Sequence, residues 1–189
     1  MTVQEAKKEI RKEIRKRKSE VPATCKEELS LVIQKKVMAL EVISRASSIL
    51  VYHSLPDEVN TLYILEELSS MYAGTNKRIL LPVVTGEILL LKEYNPALLE
   101  KGYMQIMEPQ NSETIDPSEV DLAIIPGIAF DSRCNRMGRG KGFYDRLLPH
   151  LNCMKIGLGF QFQIVDSIPC DSFDMPLDMV ITEENSYIL

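Results

Sequence analysis

The sequence has few residues of the kinds that build metal clusters, disulfide frameworks or membrane spans. It contains no tryptophan, two histidines and four cysteines, which are Cys25, Cys134, Cys153 and Cys170. No two cysteines form a C-x-x-C pair, and two histidines leave no zinc-binding spacing, so reduced thiols in a cytoplasmic protein are expected. No apolar run approaches the roughly 20 residues of a membrane helix. The charged N-terminus has no apolar stretch behind it, so no secretion signal is predicted.

An excess of positive charge is also missing from the chain as a whole. The formal net charge is -5, so neither nucleic acid nor an acidic membrane is expected as a partner. The 189 residues are 45% apolar and 26% charged, which is typical of one globular domain spanning 1–189. We expect a monomer that acts on small molecules. The exception in charge is the segment 1–20, which carries eight Lys or Arg and four Glu.

The apolar pattern predicts helices that alternate with short strands. Helices are predicted at 3–18, 26–43, 61–71 and 143–151, and strands at 48–52, 78–84, 88–91, 122–125, 156–160 and 179–182. Residues 95–120 are expected to be irregular. Unbroken apolar strands between helices predict an α/β fold, in which an open, mostly parallel sheet carries helices on both faces in a three-layer, Rossmann-like arrangement. Ligands bind such sheets beyond the carboxyl ends of the strands.

A glycine cluster at 138–142 predicts phosphate binding. Alternating glycines let the backbone approach a ligand and turn its N–H groups toward an anion. Interleaved cations supply charge, and a helix is predicted to begin near Phe143, with its positive end at the same place. A flexible surface turn is the less favoured alternative. The glycines are Gly138, Gly140 and Gly142, and the cations are Arg136, Arg139 and Lys141.

A magnesium ion at this loop would need a ligand other than that of a Walker A loop. A Walker A loop holds the ion through a Ser or Thr after Gly-Lys, whereas Gly142 follows Lys141 here. Asp145 lies three residues further on, where a carboxylate can reach magnesium that bridges phosphates. An acidic residue that only complements the helix dipole is an equally good interpretation of Asp145.

The N-terminal helix carries a cation where an apolar residue is expected. Lys7 lies between Val3 and Ile10 on the apolar stripe, and Arg11 follows one turn later, so both can face one anion. From these residues alone a solvated basic helix is slightly favoured.

The run that begins at Pro126, PGIAFDSRCNRMGRGKGFYDR, resembles the signature P-G-x-x-F-D-x-x-G-x-R-L-G-x-G-x-G-Y-Y-D of the 5-formyltetrahydrofolate cyclo-ligase family. This sequence departs from the signature at Cys134, Met137 and Phe143, which replace Gly, Leu and Tyr. We expect Cys134 to give the turn before Arg136 a negative φ or a different shape.

The resemblance extends toward both ends of the chain. Lys7 and Arg11 match a K-x-x-x-R helix, and Glu58 begins a match to E-[VI]-x-T. Asp174 precedes a match to V-x-T-E at 180–183. Glu108, with Pro109, resembles an element near the folate pocket, and the sequence alone predicts no role for it.

The resemblance implies an α/β fold with a mostly parallel sheet. It also implies conversion of 5-formyltetrahydrofolate to 5,10-methenyltetrahydrofolate, with ATP as co-substrate and Mg2+ as cofactor. Carried over residue by residue, it makes Lys141 and Arg139 the catalytic residues and Asp145 and Asp174 the metal ligands, with Asp178 and Asp171 as alternatives to Asp174. The implied ATP-binding residues are Lys7, Arg11, Arg136, Met137, Gly138, Arg139, Gly140, Lys141, Gly142, Phe143 and Tyr144. The implied substrate-binding residues are His53, Glu58, Arg139, Gly140, Lys141, Gly142 and Phe143.

Other functions stay open at this point. A similar sheet could belong to an isomerase or a coenzyme A transferase, whose chemistry needs a base and no ATP. A non-catalytic nucleotide- or folate-binding module is the third interpretation. For Glu58 and His53, a helix-entry acid and a structural histidine are the alternatives to substrate binding.

Overall fold

The computed structural model describes residues 2–110, 113–171 and 174–189. The helices are α1 (Val3–Glu20), α2 (Ala23–Met38), α3 (Glu41–Arg45), α4 (Leu62–Tyr72) and α5 (Phe143–Leu147). The strands are β1 (Ser48–Leu50), β2 (Arg78–Thr85), β3 (Ile88–Glu93), β4 (Leu99–Lys101), β5 (Met107–Pro109), β6 (Thr114–Ile115), β7 (Leu122–Pro126), β8 (Ala129–Asp131), β9 (Arg136–Met137), β10 (Met154–Leu158), β11 (Ile164–Val165), β12 (Met179–Ile181) and β13 (Ser186–Ile188). Short 3-10 helices occupy Pro96–Leu98, Tyr103–Gln105, Pro117–Glu119, Leu148–His150 and Gln161–Gln163.

The main sheet confirms the predicted fold class. Its eight strands lie in the order β13-β12-β10-β7-β1-β2-β3-β6. The five strands from β12 to β2 are parallel, and β13, β3 and β6 extend the sheet at its two edges in antiparallel pairs. The parallel strands need crossover connections, and these cover the sheet. A small sheet of β11, β8 and β9 and a β4–β5 pair lie beside the main sheet.

Alternate residues of the central strands enter two different cores. Ile49 and Ile124 pack on one face, together with Ile33 of α2 and Leu65 of α4. Leu50, Ala123 and Ile125 pack on the other face with apolar residues of α5 and the turn after it. Because side chains alternate along a strand, a sheet that is apolar at every position must be covered on both faces, as predicted.

Helix α1 packs outside these two cores. Thr2 and Glu5 form a capping box that fixes its start. Ile14 of α1 is buried in a third cluster with Ile128, Ala129 and Met137, next to the glycine loop. The helix is therefore anchored where Lys7 and Arg11 can reach that loop.

Three predictions of local structure were wrong. The helix predicted at 26–43 is two helices, because the backbone becomes extended at Leu40, between α2 and α3. The segment 95–120 contains β4, β5 and β6, which are too short to produce a periodic signal. The helix predicted at 143–151 is α-helical only to Leu147 and continues as a 3-10 turn to His150. A helix of five residues contributes little dipole, so the predicted contribution of the helix start to anion binding at the glycine loop is small.

In the part of the chain that the structure describes, no helix combines the length and apolar character that crossing a membrane requires.

Candidate active site

A cavity of about 420 Å³ opens beyond the carboxyl ends of β1, β2 and β7. Four segments line it: the stretch after β1, the β2–β3 hairpin, the loop before β5, and the chain from the end of β7 to the start of α5. Their lining residues are Tyr52, His53, Leu55, Glu58, Pro82, Val84, Leu89, Tyr103, Met104, Ile106, Glu108, Pro126, Gly127, Ile128, Arg136, Gly138, Arg139, Lys141, Gly142, Phe143, Tyr144 and Asp145. The cavity is thus at the edge of the sheet where a ligand was predicted.

A tight turn after β8 presents the glycine loop. The buried Asp131 carboxylate accepts hydrogen bonds at 2.9–3.0 Å from the backbone of Arg133, Asn135 and Ile168 and from the Asn135 side chain. The prediction of a negative φ at Cys134 was wrong, because its φ is +59°. The turn keeps a left-handed residue at the position of the signature glycine, so the cysteine carries the backbone strain that glycine avoids.

The glycine loop itself has an open backbone. Gly140 has a φ of +93° and Gly142 one of +69°, conformations that strain residues with a Cβ. The amide groups of residues 139–142 donate no hydrogen bond to any other residue within the described ranges. Unbonded amides beside cations are the groups that an anion-binding concavity requires, so anion binding at this loop stays a prediction.

Arg136 and Met137, at the start of the loop, face inward. Arg136 is buried, donates to the Asp145 carboxylate at 2.6 Å and to the Pro126 carbonyl at 3.1 Å, and lies over the Tyr144 ring. Met137 is buried against Ile14 in the third core cluster, so its side chain does not face the cavity.

Of the basic residues of α1, Arg11 contacts the glycine loop and Lys7 contacts the segment that contains Asp171 and Asp174. The Arg11 Nε donates to the Gly138 carbonyl at 3.0 Å. Lys7 is buried and forms an ion pair with Asp174, and it lies 3.4 Å from Asp171. Burial opposes the charge on Lys7, but the hydrogen bonds and charges of the two aspartates outweigh it and raise its pKa.

The carboxylates of Asp145 and Asp174 both affect the pKa of Arg11. Burial lowers the pKa of Arg11, whereas the negative charges of these two carboxylates oppose that shift. In the structure Asp174 pairs with Lys7 of α1, and Asp145 pairs with Arg136 at the start of the glycine loop. Asp178 is elsewhere: its carboxylate accepts a hydrogen bond at 2.7 Å from the backbone of Lys155, at the start of β10 and thus at the amino edge of the sheet.

Arg139 and Glu58 meet across the mouth of the cavity. The Arg139 Nη2 is 3.1 Å from the Glu58 carboxylate and also contacts Asp57. Burial opposes the charge on Arg139, but the two carboxylates outweigh it and raise its pKa. Glu58 also accepts a hydrogen bond at 3.0 Å from the Leu55 backbone.

His53 and Glu58 lie on one fixed segment after β1. The Tyr52 hydroxyl donates to the Val59 carbonyl at 2.8 Å, and the buried Thr61 hydroxyl donates to the Tyr52 carbonyl at 2.6 Å. The His53 Nδ1 is buried and has no hydrogen-bond partner of good geometry among the described residues. Burial lowers the pKa of His53, which favours a neutral ring at the cavity wall.

Lys141, Phe143 and Tyr144 complete the wall on the glycine-loop side. Lys141 is exposed and forms no ion pair with a described residue. The Phe143 and Tyr103 rings meet edge to face at 5.9 Å. Burial raises the pKa of Tyr144, so its hydroxyl stays protonated and can donate a hydrogen bond.

Three residues around the site were not found from the sequence. Lys18, at the end of α1, is buried and donates to the Asp57 carbonyl at 2.6 Å. Asp57 in turn contacts Arg139. Burial lowers the pKa of Lys18. Burial by itself would raise the pKa of Asp57, but the charges and hydrogen bonds of Lys18 and Arg139 outweigh it, so the pKa of Asp57 is lowered. Gly102 is the third and lies beside Glu108. Lys18 and Asp57 are 39 positions apart, so the sequence gives no signal for their contact. Lys18 does lie on the same helix stripe as Lys7, Arg11 and Ile14.

Comparison with known proteins supports the family resemblance of the sequence. The model of the 5-formyltetrahydrofolate cyclo-ligase family matches residues 3–183. The 5-formyltetrahydrofolate cyclo-ligase of Haemophilus influenzae is 31% identical over 178 residues, 89% of this chain and 93% of that protein. The Mus musculus protein of the same name is 29% identical, over 98% of this chain and 97% of its own.

Solved structures agree with the sequence relatives. The NMR structure of Aquifex aeolicus 5,10-methenyltetrahydrofolate synthetase matches with a TM-score of 0.85 at 31% identity, covering 96% of this chain and 92% of that one. A Mycoplasma pneumoniae 5,10-methenyltetrahydrofolate synthetase matches with a TM-score of 0.75 at 25% identity, covering 94% of this chain and 98% of that one. These matches set aside the isomerase and coenzyme A transferase alternatives. The chain belongs to the 5-formyltetrahydrofolate cyclo-ligase family of enzymes.

Proposed function

We propose that the chain closes a ring on 5-formyltetrahydrofolate to give 5,10-methenyltetrahydrofolate, while ATP is converted to ADP and phosphate. The observation that carries the proposal is the two-sided position of the glycine loop. On one side the loop lines the cavity that contains Glu58 and His53, and on the other its Gly138 carbonyl accepts the Arg11 hydrogen bond. A folate in the cavity and a nucleotide beside α1 would meet at this loop, which is what group transfer requires.

The α1 side of the loop supports ATP as the phosphate donor. It combines the unbonded amides of residues 139–142 with the Arg11 cation, whereas Lys7, one turn earlier on α1, is already neutralised by Asp174. Backbone amides and basic side chains are the groups that hold transferring phosphates in other enzymes. Arg136, which is neutralised by Asp145, has a positioning role within this set.

Asp145 and Asp174 suit Mg2+. In the described ranges no three His, Cys, Asp or Glu side chains cluster into a metal cage. Magnesium at nucleotide sites uses one or two carboxylates and takes its other oxygens from phosphate and water, so two carboxylates beside a phosphate site are a sufficient protein contribution. When bound, the ion supplies positive charge that neutralises the phosphates.

The chemistry needs positioning and charge rather than a protein nucleophile. The formyl oxygen attacks the γ-phosphorus and ADP leaves, which gives a phosphorylated imidate. N10 then attacks the formyl carbon and loses its proton, and phosphate leaves with the former formyl oxygen. A cation facing the transferring group stabilises the charge that moves onto these oxygens. Lys141 is the better candidate for this role, because two carboxylates already neutralise Arg139.

A turnover assay tests the proposal. The purified chain with 5-formyltetrahydrofolate, ATP and Mg2+ should form the conjugated methenyl product, seen by its near-ultraviolet absorbance, with one ADP per ring closed. Lys141→Met should lower kcat by about a hundredfold, which is the scale for losing one preorganised charge-stabilising group. Lys101→Met, an exposed lysine on β4, is the matched control. Binding of both substrates without turnover would contradict the proposal and favour a non-catalytic module.

A further inference from the structure

Of the three carboxylates that line the cavity, Glu108 is the one to which the proposed mechanism gives no role. Glu108 lies in the middle of β5, is 5% exposed, and lines the cavity. Its Oε1 accepts one long hydrogen bond, at 3.3 Å from the Val84 backbone. No Lys, Arg or His of the described chain pairs with it within 4.0 Å. Glu58 differs, because Arg139 already neutralises it.

The chain makes room for the Glu108 carboxylate. A Cβ on Gly102 would lie 1.9 Å from Oε2 of Glu108, so any other residue at position 102 would displace it. The turn from Gly102 to Ile106 closes with a 2.8 Å hydrogen bond from the Gly102 amide to the Ile106 carbonyl. Met104 and Gln105 within it have φ of +53° and +63°, a strained conformation for residues that are not glycine. Strain that the surroundings maintain often marks a functional position.

A buried carboxylate without a cation is unfavourable unless a ligand supplies hydrogen-bond donors. A reduced pterin offers two, the 2-amino group and the adjacent N3–H, on one edge of a flat ring. A carboxylate can accept both, since it has two oxygens and only accepts when ionised. Val84, Leu89 and Ile106, which line the same cavity, provide apolar contact for the faces of such a ring.

We infer that Glu108 is a specificity-determining residue, whose carboxylate accepts hydrogen bonds from the 2-amino group and N3–H of the substrate's pyrimidinone ring. The inference rests on the proposed function, because it assumes a folate in this cavity. It leaves Glu58, which contacts Arg139, to contact the part of the substrate nearer the glycine loop.

Three variants test Glu108 through folate binding in the absence of ATP. Glu108→Met should weaken binding of 5-formyltetrahydrofolate by about tenfold or more, because the ligand donors lose their acceptors. Glu108→Gln keeps one acceptor oxygen, so we expect a smaller loss. Gly102→Ala should also weaken binding, because it displaces the carboxylate without removing it. Glu100→Gln, exposed and opposite Glu108 in the β4–β5 pair, is the control, and ATP affinity should be the same in all four.

A ligand without the 2-amino group separates recognition from a structural effect. The unmodified chain should lose affinity for the 2-desamino folate, whereas Glu108→Met should bind both folates about equally. The inference is overturned if Glu108→Met still prefers the amino compound as strongly as the unmodified chain does. If the unmodified chain neither binds 5-formyltetrahydrofolate nor turns it over, the proposed function fails instead.

Discussion

The Arg11 Nε donates a hydrogen bond to the Gly138 carbonyl at 3.0 Å, and this bond joins α1 to the glycine loop 127 positions further along the chain. The Arg11 guanidinium also lies 3.5 Å from the place where a Cβ on Gly140 would be. One arginine therefore sets the distance between the N-terminal helix and the loop and remains beside the proposed phosphate site.

Replacing Arg11 should weaken ATP binding more than folate binding. We expect Arg11→Met to raise the ATP Kd by about tenfold or more, the value of one charge-assisted hydrogen bond. Arg11→Lys keeps the charge but loses the planar donor pair, so its defect should be intermediate. Titration calorimetry with ATP and with folate separates the two effects. Lys12→Met, an exposed neighbour on α1, makes the same change in charge, and an equal loss of ATP affinity there would contradict a specific role for Arg11.

Gly140 should matter for activity more than for stability. Gly140→Ala forces a Cβ onto a φ of +93°, which destabilises by about 1–2 kcal/mol, and it also places a methyl group where the backbone would approach phosphate. Gly86→Ala, at a φ of +59° with open space around it, has a similar backbone cost in the β2–β3 turn. Both variants should show similar losses in Tm, but only Gly140→Ala should lose ATP affinity. Equal activities in the two variants would argue against the phosphate cradle.

The position of the site, beyond the carboxyl ends of the parallel strands, can be predicted from the sequence because the signals for it lie in short contiguous segments. The apolar runs at β1 and β7 identify the strands, and the residues that follow each strand must lie at the same edge of a parallel sheet. The glycine loop is also contiguous, so its shape could be argued without the fold. Cys134 shows the limit of such arguments, since the residue type suggested a negative φ and the hydrogen bonds of Asp131 impose a positive one.

Long-range ion pairs could not be predicted in the same way. Lys7 with Asp174, and Lys18 with Asp57, join residues that only the fold brings together. The short strands β4 and β5, which carry Glu108, have too few residues to produce a period. The signals that failed are therefore those of tertiary contacts and of short strands without an unbroken apolar run.

Asp145 and Asp174 should set the magnesium requirement, and Asp178 should not. Asp145→Asn and Asp174→Asn should each raise the Mg2+ concentration for half-maximal turnover by about tenfold or more, because each loses a charged oxygen ligand. Asp178→Asn makes the same charge change at the amino edge of the sheet and is the control. ATP binding in EDTA distinguishes ligand loss from general damage: without magnesium, removing a negative charge should leave ATP affinity unchanged or increased. Three identical magnesium titrations would defeat the metal assignment.

His53 should make stability depend on pH on the acid side. Burial lowers its pKa from the ordinary value of 6.5, so the unfolded chain binds a proton more readily than the folded one. The free energy of unfolding should therefore fall as pH drops from 6.5 toward the lower folded pKa, and His53→Gln should reduce that fall. Denaturant unfolding at about pH 7.5 and 5.5 measures it. The exposed His150 offers the matched variant, His150→Gln, and an equal effect there would contradict the assignment.

The fate of the formyl oxygen tests the chemical route. If that oxygen attacks the γ-phosphorus, the C–O bond breaks when N10 closes the ring, and the oxygen leaves with phosphate. Folate labelled with ¹⁸O in the formyl group should then yield labelled phosphate, at one label per ADP formed, which mass spectrometry can count. Lys141→Met should slow the reaction without changing this ratio, because Lys141 stabilises charge and does not choose the bond that breaks. The 10-formyl isomer should give no product by this route, since its N10 is already acylated. Label released to water, or rings closed without ADP, would rule out the phosphorylated imidate and leave family membership unaffected.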